Sequence, residues 1–195
     1  NKVLGQKRFT EFIPMGFSEE YISENNTLPN SYLNEYIPKN KFLVAYVGTI
    51  GFDNALDTLF FCAESMQNES NIHFLLVGDG SLLQIYKKKF SYLPNLTFAP
   101  KIPSKFVHSV LNHCDILYFS THQSKVWHFG QSLNKLVDYM LSGKPVVASF
   151  SGYQSMINEA GCGVYLPPGD QEALKTEILQ MSHLTKDDLQ QIGFK

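Results

Sequence analysis

An α/β fold with a parallel, doubly wound sheet is what this sequence predicts. Three observations carry the prediction. Short, almost wholly apolar runs recur between residues 42 and 166, as strands buried on both faces require. Segments with helical spacing separate them, and strict alternation of this kind builds a parallel sheet covered by helices on both sides. Glycine turns and polar loops follow the strands, at the carboxyl ends where such sheets bind ligands. Crossovers are right-handed almost without exception, so the economical topology is Rossmann-like.

Residues 1–40 are irregular. Phe12–Phe17 reads as a short apolar strand ending in a turn. Ser18–Lys41 is rich in Asn, Ser, Glu and Pro and reads as a surface connection with a helical turn near Ser31–Tyr36. The division expected is therefore an interdomain linker or N-terminal extension over 1–41 and one Rossmann-like domain over 42–195.

Phe42–Val47 is the first buried strand, and Gly48-Thr49-Ile50-Gly51 is its turn. Ala55–Met66 has helical spacing, with Leu56, Leu59, Phe60, Ala63 and Met66 on one side. Ile72–Val77 is a second buried strand ending in Gly78-Asp79-Gly80, and Ser81–Phe90 reads as a helix. Leu96–Phe98 is a short strand. Ser104 is placed to cap a helix carrying Phe106, Val107, Val110 and Leu111. Ile116–Phe119 and Val146–Ala148 are strands, Gln154–Ala160 a short helix, and Gly163–Leu166 the final strand. Pro167-Pro168-Gly169 breaks the chain before Asp170, an N-cap for a helix over Gln171–Met181.

The most informative stretch is Gly130–Ser149, which reads as loop, helix, tight stop and buried strand. Leu133, Leu136, Val137, Met140 and Leu141 recur at helical spacing and give an apolar face. Ser132 sits where an N-cap belongs, Gly143 is a left-handed stop, and Pro145 cannot continue the helix. Asn134, Lys135 and Asp138 fall on the polar face of the first turns. A helix N-terminus attracts anions through its free N–H groups and dipole. A phosphate there, with a ribose hydroxyl on Asp138, is one reading; an amphipathic surface helix with Lys135 and Asp138 in water is the other.

Composition excludes several classes. The 195 residues carry a formal charge of −2 with no strong basic block, which argues against nucleic acid as a partner. Lys87-Lys88-Lys89 is the one basic run, read as the wet end of a helix, with contact to anionic lipid as the alternative. The three cysteines at 62, 114 and 162 match neither a disulfide framework nor a zinc pattern, and read as small buried residues of a reducing compartment. No signal peptide and no bilayer-length apolar run is present. The chain starts at Asn1 without an initiator Met, as expected of a fragment or a processed chain. G-x-G-x-x-G, Walker A, H-E-x-x-H and G-x-S-x-G patterns are absent. His122 and His128 share a polar loop but have no third ligand at metal spacing, so no metal site is expected.

Ser132-Leu133-Asn134-Lys135-Leu136-Val137-Asp138-Tyr139-Met140, followed by Gly143-Lys144-Pro145-Val146-Val147-Ala148, resembles a segment of GT-B glycosyltransferases, and more narrowly family 4 (group 1), with its pattern S-P-x-K-L-x-E-Y-M-A-x-G-K-P-V-V-A. Tyr46–Gly51, Leu56–Leu59, Leu75–Gly80 and His113–Ile116 stand in the order and spacing of that family, and Ile13-Pro14-Met15-Gly16 resembles its domain crossing. The resemblance implies the C-terminal half of a GT-B fold, so that 42–195 is a donor-binding domain for a nucleotide-diphosphate sugar, UDP-linked. The transfer it implies is retaining, metal-independent and free of any cofactor beyond that substrate. The acceptor is a glycan or lipid-linked molecule, held by an N-terminal domain outside this sequence. The setting is cytoplasmic, with peripheral association at the inner membrane face.

It also implies residue roles. Gly48, Thr49, Gly51, Ser132, Leu133, Asn134 and Lys135 would surround the diphosphate, Asp138 the ribose, and Lys101 and Ile102 the base. His128, Phe129, Gly130 and Gln131 would face the donor sugar. No catalytic residue is assigned. The chain departs from the family at Leu133 (usually Pro), Asp138 (usually Glu), Ser142, and Gly130, where many relatives carry an earlier Glu. Thr49 and Asn54 stand where many members have an Arg and a Lys gripping the diphosphate, so positive charge is expected from Lys135, from helix N-termini or from the other domain. A nucleotide-sugar epimerase of the same fold and a non-catalytic nucleotide-sugar-binding subunit with a partner chain are the rival readings.

Overall fold

The computed structural model describes residues 26–130, 133–153 and 156–194. Six strands form one parallel sheet: β1 Phe42–Val47, β2 Ile72–Val77, β3 Leu96–Ala99, β4 Ile116–Ser120, β5 Val146–Ser149 and β6 Gly163–Leu166. Their spatial order is β3-β2-β1-β4-β5-β6. Leaving β1, the chain winds outward through β2 and β3, then returns to the far side of β1 and winds the other way. The direction therefore switches between β1 and β4.

Every residue of β1, β2, β4 and β5 is buried, which is why these segments read as unbroken apolar runs. The edge strands β3 and β6 are only partly covered. Alternate residues of β1 serve opposite faces. Phe42, Val44 and Tyr46 pack with α2 (Asp57–Ser65), α3 (Leu83–Phe90), α7 (Gln171–Ser182) and α8 (Lys186–Gly193). Leu43, Ala45 and Val47 pack with α1 (Asn30–Tyr36), α4 (Val107–Leu111), α5 (Asn134–Leu141) and α6 (Ile157–Ala160). On the first face the Phe60 ring stacks 4.3 Å from Tyr86 and 4.8 Å from Phe90, joining α2 to α3.

Several boundaries differ from the sequence reading. The helix expected from Ala55 begins at Asp57, because Ala55 adopts a left-handed conformation (φ 42°) after a 3₁₀ turn over Phe52–Asn54. Likewise α3 begins at Leu83 rather than Ser81. Ser104 does not cap α4 with its side chain; it opens a 3₁₀ turn behind Pro103. Asp170 does cap α7, accepting from the Ala173 N–H at 2.9 Å. The stretch Asn26–Lys41 brings Leu28 and Ile37 into the core beside α1. Helix α8 was not expected, although its capping box was legible: Thr185 accepts from the Asp188 N–H, and the Asp188 carboxylate accepts from the Thr185 N–H. With few apolar residues in that segment, helical spacing did not announce it. The Phe12–Phe17 strand, Gln131, Ser132 and the Gln154 start of the short helix lie outside the described residues.

Beyond the strand ends, β1 and β2 stay paired. Gly48 donates to the Val77 carbonyl and Ile50 to the Asp79 carbonyl, each at 2.9 Å. Such close backbone contact needs glycine opposite. A Cβ on Gly78 would fall 1.9 Å from the Gly48 oxygen.

Candidate functional site

The switch between β1 and β4 opens a crevice, because the Cα pairing of the two strands covers only Val44↔Ile116 and Ala45↔Leu117. Two residues further on, the backbone of Val47 has no strand beside it on that side. The buried Tyr139 of α5 fills the place: its hydroxyl accepts from the Val47 N–H at 2.8 Å and donates to the Val47 carbonyl at 3.2 Å. Burial pushes this phenol far above its ordinary pKa, so it stays protonated and keeps both bonds. Tyr139→Phe strands both backbone groups. It is expected to cost about 1–3 kcal/mol, read as a lower urea midpoint with unchanged slope. A loss below about 0.5 kcal/mol would show that the hydroxyl does not hold the strand end.

Tyr139 also corrects the apolar face of α5. Leu136 and Tyr139 are its buried residues, whereas Leu141 is 40% exposed. The N-cap position belongs to Leu133, without a side-chain cap, and not to Ser132 as the pattern implied. The Leu136 N–H closes the first turn on the Leu133 carbonyl at 3.0 Å, and the N–H groups of Asn134 and Lys135 before it have no intrahelical acceptor, the usual state of a helix start.

In front of this helix lies a cleft of about 510 Å³. Gly48, Thr49, Lys101, Ile102, Lys135 and Asp138 line it, six of the residues singled out by sequence. Asp79, Gly80, Ser104 and Tyr139 line it too, and sequence reasoning missed them as site residues. Gly51 is not among the residues that line the cleft; a Cβ there would face Thr49 in its own turn and Ser81 after β2. Leu133 packs against the core beside α5, and Asn134 is exposed. His128 and Phe129 are exposed on a 3₁₀ turn over Lys125–Phe129, and Gly130 follows it; none of the three lines the cleft.

Lys135 does not lie open in water, contrary to the surface-helix reading. Its side chain is partly buried, and its ammonium donates to the Tyr46 hydroxyl at 2.8 Å and to the Asn54 side-chain carbonyl. It also sits 4.6 Å from the Tyr46 ring centroid, a cation–π contact. Tyr46 and Asn54 in turn both donate to the Thr49 carbonyl, at 2.5 and 2.9 Å. The network ties the β1 loop to the start of α5 and holds one cation beside Gly48. Burial pushes the Lys135 pKa from its ordinary 10.5 down to about 8. At neutral pH the group is still charged. Tyr46 was read only as a strand residue; nothing local marks it as the partner of a lysine 89 positions away.

Asp138, one turn along α5, meets the Nε2 of His108 on α4, 3.6 Å from its Oδ1. The sequence reading assigned His108 no role. Among the described residues no group of three or more His, Cys, Asp or Glu is placed to hold a metal ion. Cys62, Cys114 and Cys162 are buried and free. No helix of the described residues is long and apolar enough to cross a membrane.

A family model described as "Glycosyl transferases group 1" matches residues 41–183. Comparison with curated proteins by sequence gives no match. Among solved structures, the chain is similar to WaaG, a glycosyltransferase involved in lipopolysaccharide biosynthesis (TM-score 0.68, 18% identity, 94% of this chain and 50% of that one). It is also similar to HepE of Anabaena in complex with UDP and glucose (TM-score 0.63, 17% identity, 91% and 46%). A third is TarM of S. aureus, in a complex that includes UDP (TM-score 0.61, 15% identity, 80% and 32%). The six-stranded sheet flanked by helices matches the fold of these GT-B enzymes, and the chain spans half or less of their length.

Proposed function

We propose, for a chain that belongs to the group 1 glycosyltransferase family, that it is the C-terminal, donor-binding half of a GT-B enzyme and binds a UDP-sugar in the cleft before α5. The observation that carries this reading is the convergence of a helix N-terminus, the Lys135 ammonium and the Asp138 carboxylate on one cleft at the β1/β4 switch point. The start of α5 and Lys135 would hold the diphosphate. Asp138 would accept from the ribose hydroxyls, and the chain around Lys101 and Ile102 would face the base. HepE and TarM are both described with UDP, which supports uridine as the base.

Transfer would move the sugar to a hydroxyl of a glycan or lipid-linked acceptor, with retention and without a metal. As the diphosphate leaves, negative charge grows on its oxygens. A cation and N–H dipoles already in place stabilise that charge with no further reorganisation. The acceptor site and any catalytic base belong, on this reading, to an N-terminal domain outside this sequence, so the chain alone binds donor but transfers little sugar. The same reading sets it in the cytoplasm at the inner membrane face, where Lys87, Lys88 and Lys89 on α3 could meet anionic headgroups.

Calorimetric titration with UDP, GDP and NAD tests it. UDP is expected to bind, and Asp138→Ala to weaken it by about 1.5–3 kcal/mol, the value of a hydrogen bond to a charged group. Binding of NAD in preference to either nucleoside diphosphate would sink the proposal.

A further inference from the structure

We infer that His108 is a positioning residue for ribose recognition: from α4 it holds the Asp138 carboxylate in the orientation that accepts the ribose hydroxyls. This rests on the reading above that Asp138 meets the ribose. Two observations lead to it. Asp138 lines the cleft, yet its side chain is only 15% exposed, and His108 is 25% exposed behind it. The Nε2 of His108 lies 3.6 Å from Oδ1, close enough for charge or dipole attraction though longer than a hydrogen bond.

A carboxylate that recognises a diol must present a fixed edge, since each misaligned oxygen forfeits a charge-assisted hydrogen bond. An unsupported Asp has rotamer freedom to lose on binding. Contact with His108 at Oδ1 restricts that freedom beforehand, which is preorganisation. The support is also well placed. α4 begins directly behind the Lys101–Ser104 segment, which itself lines the cleft. The base side and the ribose side of the site are thereby tied through one short helix.

The test compares UDP with 2′,3′-dideoxy-UDP, which lacks both hydroxyls, on the wild-type chain and on His108→Phe, His108→Gln and Asp138→Ala. Wild type is expected to prefer UDP by roughly tenfold, and Asp138→Ala to abolish that preference. His108→Phe should lose most of the preference while binding the dideoxy ligand as wild type does. His108→Gln places an amide N–H near the lost Nε2 and should recover it. If His108→Phe weakens both ligands equally, or leaves the preference intact, the histidine is merely structural and the inference falls. If the wild type shows no preference, or Asp138→Ala keeps it, the ribose assignment itself fails, and this inference with it.

Discussion

Gly78→Ala is expected to destabilise the chain by about 3–5 kcal/mol and to lower Tm by roughly 10 °C. The added methyl carbon would sit 1.9 Å from the Gly48 carbonyl oxygen and 3.0 Å from its carbon. These are backbone atoms held in line by the Gly48–Val77 hydrogen bond, so no side chain can swing aside. The native φ of 156° adds strain, because it belongs to glycine's range. Relief requires the β1 and β2 loops to separate. That breaks the pairing of Ile50 with Asp79 and opens the cleft that both loops line. Gly51→Ala is the control. Gly51 is extended (φ −135°, ψ 173°), and its added carbon would make ordinary contacts at 3.6 and 3.9 Å. Thermal unfolding of the two variants decides the matter; a Gly78→Ala loss no larger than that of Gly51→Ala would contradict the packing argument.

Lys135→Met is expected to lower UDP affinity by roughly 10- to 100-fold, as for loss of a charge-assisted contact of 1.5–3 kcal/mol, with little change for uridine, which has no phosphate. Stability should hold or rise, since an apolar side chain of similar length replaces a partly buried charge. The pH dependence separates the two roles. The Lys135 pKa is depressed from 10.5 to about 8 by burial, so between those values the unfolded chain binds more protons than the folded one. The Lys135 contribution to stability then rises with pH across about 8 to 10.5, while burial of the Cys62 and Cys114 thiols, pushed up to about 12, works the other way above about 9, so the contribution is read as the difference between wild type and Lys135→Met. UDP affinity must fall across the same window as the cation is lost. Lys135→Met should remove the Lys135 part of the stability profile and the fall in affinity. Urea titrations and calorimetry at pH 7, 8.5 and 10 read them; an affinity in wild type that does not change with pH would detach Lys135 from the diphosphate.

Much of the fold was legible because burial on both faces leaves a mark in each of the four central strands. Phe42–Val47 and Ile72–Val77 were bounded correctly from their apolar runs alone. Helix starts were less legible, since a start depends on φ at one residue: Ala55 turns left-handed, and Leu133 rather than Ser132 takes the N-cap position. In the site, Lys135 and Asp138 could be picked out through resemblance and helical phase. Their partners could not. Tyr46 looks like any other strand residue, and His108 like a stray titratable group on a short helix.

The sequence by itself determined the chain order of the six strands and of the helices between them, and the parallel sheet. Each of these follows from local periodicity, which burial imposes along a few consecutive residues. Only the tertiary structure decided that Lys135 is held by Tyr46 and Asn54, that Tyr139 closes the end of β1, and that His108 stands behind Asp138. Those contacts join residues 30 to 92 positions apart. Which of many compatible polar groups meet at such distances is set by how the helices pack across the switch point, and no pattern within a single segment records it.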